Sequence, residues 1–95
     1  MYDILPYTKQ QAKKLGVSVY PSKRPKYKID VFDKNNNYIT SCGDSNYLDY
    51  PTYILNYGKA YADKRRELYW NRHKHEIKGK SWIGSRSYYS LNLLW

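Results

Sequence analysis

The stretch KYKIDVFDKNNNYITSC, residues 26–42, decides the fold. Along KYKIDVFD the side chains alternate, with Tyr27, Ile29 and Val31 on one face and Lys28, Asp30 and Phe32 on the other. Alternation with β-branched and aromatic residues predicts a strand with one buried side. DKNNN is turn material, because Asn and Asp bond their own backbone and tolerate left-handed conformations. YITSC then returns as a second arm. A hairpin with arms of about five residues does not stand alone, so helices must cover its apolar face.

Upstream, PYTKQQAKKLG carries the punctuation of a short helix: Thr8 as N-cap, Gln11 three residues later, and Gly16 past the end. Its apolar residues are few, so weak docking is expected, with Lys9, Lys13 and Lys14 exposed. VYPSKRPKYK, residues 19–28, holds two prolines and four Lys/Arg. Proline disfavours helix and central strand, so an extended, solvated arm is predicted. That arm reads equally as a phosphate contact or as a basic linker.

Downstream, GDSNYLDYPTYILNYG supplies a loop and a short helix, with Pro51 suited to the first helical position and Gly58 to its end. Tyr50, Tyr53 and Tyr57 recur at helical spacing. The main helix is predicted over about residues 59–77, and GKSWIGS breaks it. SRSYYSLNLLW closes the sequence, and Leu91, Leu94 and Trp95 are expected to pack on the hairpin. The chain therefore reads as one α+β domain, a β-hairpin or small antiparallel sheet packed against two to three helices. Residues 1–25 form a short helix and basic arm, and residues 26–95 the folded unit.

Composition bounds the function. Of 95 residues 13 are Tyr, 3 Trp and 1 Phe, so a core rimmed by half-buried tyrosines is expected rather than an aliphatic one. The formal net charge is +9, and it is unevenly spread. Residues 4–29 hold seven Lys/Arg and no acid, residues 30–58 are net acidic, and residues 59–95 hold nine Lys/Arg against three acids. Two basic ends around an acidic middle favour polyanionic partners, nucleic acid first. Cys42 is alone, which excludes an intramolecular disulfide or thiolate cluster. With no apolar run of spanning length and no signal-peptide pattern in MYDILPYTKQ, a soluble, intracellular protein with no membrane partner is expected.

DKRRELYWNRHKHE, residues 63–76, concentrates basic and aromatic residues. On a helical wheel Tyr61, Ala62, Leu68 and Tyr69 bracket the side expected to face the core. Arg65 and Arg72 fall in the middle of that side, with Arg66 and His73 at its margin. Buried unpaired charge is costly, so both arginines are expected to pair with Asp30, Asp44 or Asp49, or to stack on tyrosine rings. A partly buried phosphate or carboxylate site is the third reading. Lys64, Glu67, Asn71, Lys74 and His75 point outward. Trp70 lies among them, predicted to be covered by a terminal segment or else to contact a partner. His73 and His75, two apart, cannot easily share a metal. With no phosphate loop and no paired carboxylates, neither cofactor nor enzymatic activity is expected. A small nuclease in which His73 meets aspartates in space is the minor alternative.

The ordered set KYKIDVFD, YITSCGD, DYPTYI, ADKRRELY-x-x-RH, GSRSYY and a terminal LLW resembles a family of small basic proteins of nucleocytoplasmic large DNA viruses, including giant viruses. The matching positions are Tyr27–Cys42, Asp49–Ile54, Arg65, Arg66, Tyr69, Arg72, His73, Leu94 and Trp95. The resemblance implies location in the virion, or in the host cytoplasm or viral factory during infection, with no known enzymatic activity. The leading expectation is a virion-associated basic protein that contacts nucleic acid non-specifically. Candidate phosphate contacts are Lys23, Arg24, Lys26, Lys28, Lys64, Lys74, Lys78, Lys80 and Arg86. Arg65, Arg66, Tyr69, Arg72, His73 and Trp95 are expected to be structural. The alternative is a minor capsid or core protein that binds other virion proteins or forms a homodimer through its tyrosine-rich helices.

Overall fold

The structure, a computed structural model, describes residues 2–95. Element order is α1 (Pro6–Leu15), β1 (Ser18–Pro21), β2 (Tyr27–Phe32), β3 (Tyr38–Asp44), α2 (Tyr50–Tyr57), α3 (Lys59–His73) and α4 (Arg86–Leu94). Short 3₁₀ turns cover Lys74–Glu76 and Lys80–Trp82. The strands form an antiparallel sheet in the order β1-β2-β3, an α+β architecture.

The predicted hairpin forms. Its turn closes with Asp33 N–H donating to Asn37 O at 2.9 Å, and the Asp33 side chain accepts from the N–H groups of Asn35 and Asn37. Asn36 takes the left-handed conformation at φ 65°. The hairpin extends to the small antiparallel sheet that was the other expectation, because β1 adds to the free edge of β2 with Val19 opposite Val31. Of the predicted extended arm, residues 19–21 are strand and hydrogen-bonded rather than solvated; residues 23–26 instead bend into a turn in which Tyr27 N–H donates to Arg24 O at 3.0 Å. Pro21 sits at the end of this edge strand, where a missing N–H does no harm.

One expectation about β2 fails. Lys28, Ile29, Asp30 and Val31 are all buried, so both faces of its centre are covered. The polar face is tolerated because its charges are partnered. Ser22 and Ser41 hydroxyls each donate to Asp30 Oδ1 at 2.6 Å, and Lys23 N–H donates to Oδ2.

α1 starts two residues earlier than its predicted cap. Leu5 is the capping residue, Pro6 occupies the first turn, and Thr8 lies buried within the helix. Gly16 closes it at φ 73°, its N–H donating to Lys13 O while Val17 N–H reaches Ala12 O. In α2 the cap is Asp49, whose carboxylate accepts from Thr52 N–H at 3.0 Å. Ser85 caps α4 by accepting from Tyr88 N–H.

α4 packs on β3 and α1, and α2 packs on α3. Ile29, Val31, Leu93 and Leu94 form a fully buried aliphatic centre. Tyr2, Tyr7, Tyr53, Tyr69 and Tyr88 pack around it half-buried. The tyrosine rim is as predicted, but the centre is aliphatic, supplied largely by the LNLLW end. Among the described residues no helix is long and apolar enough to cross a membrane.

Candidate nucleic-acid interface

α3 is rotated by about one residue, roughly 100°, from its predicted setting. Its inward stripe is Ala62, Arg66, Tyr69, Trp70 and His73, spaced i, i+4, i+7, i+8, i+11. Tyr61, Arg65, Leu68 and Arg72, expected toward the core, form an exposed stripe, with Tyr61 and Leu68 46% and 49% exposed. The aspartates that were to receive the arginines are engaged elsewhere. Asp30 is held by serines, Asp49 by Lys28, Tyr2 and Thr52, and Asp44 by Asn46 N–H. Without carboxylates inside, burial of Arg65 and Arg72 would leave bare charge, so the helix turns them outward.

Of the predicted aromatic contacts, Arg65 makes one, its guanidinium 5.5 Å from the Tyr53 ring centre. Arg66 does the same over buried Tyr50 at 4.7 Å, which justifies its half-buried place in the inward stripe. Tyr69 is clamped between His73 at 4.2 Å and Trp95 at 4.1 Å, the latter nearly parallel. Trp70 is covered by the C-terminal residue, its indole N–H donating to Trp95 O at 3.3 Å. Tyr69 and Trp95 thus join α3 to the end of α4, with His73 stacked on Tyr69.

This seam opens into a groove. One part, about 590 Å³, is lined by Lys26, Tyr27, His73, Glu76 and Arg86. An adjoining recess of about 350 Å³ is lined by Tyr47, Leu48, Tyr53, Arg65 and Arg72, and the two share Gly43, Asp44, Tyr69, His73 and Ser90. Four exposed cations, Lys26, Arg65, Arg72 and Arg86, thus face two carboxylates, Asp44 and Glu76. Glu76 is already engaged: its Oε1 lies 2.8 Å from His73 Nδ1 and accepts from Ser87 Oγ at 3.0 Å. Partial burial works against the Glu76 carboxylate, but these hydrogen bonds prevail and hold it below the usual glutamate range.

The sequence-predicted contacts divide by position. Lys26 and Arg86 reach the groove, although Arg86 also donates to Ser41 O at 2.9 Å and covers the Tyr27 ring at 4.9 Å. Arg24 lies over Tyr38 and lines a shallow hollow behind Tyr27. Lys23, Lys64, Lys74, Lys78 and Lys80 are exposed outside the groove lining. Lys28 is a correction. It is buried and ion-paired to Asp49 at 2.9 Å, so its charge is spent on the fold. Arg65 and Arg72, expected in the middle of the inward side, are the converse correction: both are exposed on the groove, Arg65 over the Tyr53 ring.

Chemically the groove offers guanidinium and ammonium donors beside tyrosine faces, suited to anionic groups carried on planar rings. Ser87 donates to the carboxylate that holds His73 rather than to the ring itself, so these three groups do not form a nucleophile–base relay. Among the described residues no cluster of His, Cys, Asp or Glu could hold a metal ion. No protein-family profile, curated protein or solved structure matches the chain.

Proposed function

We propose that this protein is a virion-associated basic protein that binds nucleic acid through phosphate contacts without reading base sequence. The observation that carries the reading is the convergence of Lys26, Arg65, Arg72 and Arg86 on one tyrosine-walled groove. Exposed Lys23, Lys74, Lys78 and Lys80 add an attractive field around it. The viral assignment rests on the sequence resemblance alone.

Polarisation of a labelled oligonucleotide, titrated with protein at about 50 mM and about 200 mM salt, tests the binding. Affinity should fall steeply with salt and vary little between sequences. No binding at micromolar protein in the lower salt would overturn the proposal. The second reading, a minor capsid or core component, is favoured by the exposure of Ile77 and Ile83, 39% and 62%. Recovery of a stoichiometric virion protein with the chain, in the absence of nucleic acid, would select it.

A further inference from the structure

The exposed stripe of α3 continues the groove in an apolar direction. Tyr57 and Tyr61 are 59% and 46% exposed, with ring centres 5.0 Å apart, and Tyr53 stands 5.8 Å from Tyr61. Across the recess Tyr47 is 70% exposed. Arg65 and Arg72 follow Tyr61 along α3, seven residues and so about 10 Å apart along the helix. Neither makes an ion pair among the described residues.

We propose that this surface binds single-stranded nucleic acid in preference to duplex, bases stacking on Tyr57, Tyr61 and Tyr47 while Arg65 and Arg72 hold the phosphates. The inference deepens the nucleic-acid reading and rests on it. A duplex hides base faces within its own stack and presents only phosphates and groove edges. An unpaired strand offers a planar face to each ring and a phosphate to each cation, which is the combination that the stripe complements. A second copy of the chain fits it poorly. A two-fold axis through the stripe would bring Arg65 and Arg72 against the same cations of the other copy, and Asp44 in the recess beside them is one carboxylate against two guanidiniums.

Competition between a single strand of about 15 nucleotides and a duplex of equal length tests the inference on the whole chain. The single strand should bind about tenfold more tightly or better, and Tyr61→Ala and Tyr57→Ala should each weaken it roughly five- to tenfold while leaving duplex affinity unchanged. Tyr61→Phe should retain binding, because the ring face and not the hydroxyl does the stacking. Both tyrosines are exposed, so the variants keep the fold, and circular dichroism checks this. Equal affinity for the two forms with unaffected tyrosine variants overturns the inference while the proposed function stands. Binding to neither form removes both. Dimerisation seen by light scattering and abolished by Tyr61→Ala, without strand preference, assigns the stripe to a second copy and overturns it.

Discussion

Lys28 and Asp49 form an ion pair at 2.9 Å with side chains 7% and 1% exposed, joining the middle of the sheet to the start of α2. The Asp49 carboxylate also accepts from the Tyr2 hydroxyl at 2.6 Å and from Thr52 N–H. One acid thus ties the N-terminal segment, β2 and the α2 cap together. Lys28→Met should destabilise the protein by about 3–5 kcal/mol, since it leaves that carboxylate buried without its cation. Denaturant unfolding measures the loss, and oligonucleotide affinity per folded molecule should not change.

Arg65 and Arg72 should behave oppositely. Arg65→Gln and Arg72→Gln remove exposed charge without opening a cavity, so stability should stay within about 0.5 kcal/mol of the original. Oligonucleotide affinity should fall with each substitution, and polarisation titrations beside thermal melts separate the two effects.

Gly43 lies between β2 and α4 at φ 82°. A Cβ there would collide with Leu94 Cδ1 and press on the Lys28 side chain, in a backbone conformation that disfavours any side chain. Gly43→Ala should destabilise the protein by about 2–4 kcal/mol, read as a lower denaturant midpoint.

Cys42 is fully buried, and burial pushes its thiol up to about 12, with Arg86 opposing and Asp30 reinforcing the shift. In the native protein it should resist alkylation near neutral pH, because the thiolate is the reactive form. Alkylation rate against denaturant should track unfolding, so rapid native-state labelling would show that the α4–sheet contact opens locally.

Acid should destabilise the fold through Asp30 and Glu76. Burial works against both carboxylates, but the serine and backbone hydrogen bonds to Asp30, and those from His73 and Ser87 to Glu76, bring each below its usual range. Groups with depressed folded pKa stabilise fully above their unfolded values, about 3.9 and 4.3, and lose that contribution as pH falls through the folded ones. Melting temperature should therefore hold steady above about pH 5 and drop below about pH 4. Asp30→Asn should flatten that limb more than Glu76→Gln, because Glu76 is partly solvated.

The hairpin, its Asn-rich turn, the α2 helix and the buried LLW end were legible from residues 26–58 and 91–95, where alternation, turn chemistry and apolar content agree. β1 was not. Its edge pairing depends on β2 lying nearby, and two prolines mask it. The rotation of α3 was hidden because Tyr61 and Leu68 look like core residues by type. Whether Asp30 and Asp49 were free to receive arginines depends on tertiary contacts with residues 2, 22, 28 and 41. Of the groove, Lys26 and Arg86 were anticipated, whereas Arg65 and Arg72 required the helix orientation.

Charge placement distinguishes a built site from general basicity. The triple substitution Lys26→Gln, Arg65→Gln, Arg72→Gln removes groove cations, while Lys9→Gln, Lys13→Gln, Lys14→Gln removes equal charge from exposed positions of α1 that do not line the groove. The measurement is the slope of log affinity for a single strand against log salt. The groove triple should reduce its magnitude by about 2, as expected for three lost phosphate contacts, and the α1 triple should leave it near the original. Equal reductions in both variants would contradict the account, reducing the groove to one part of a uniformly basic surface.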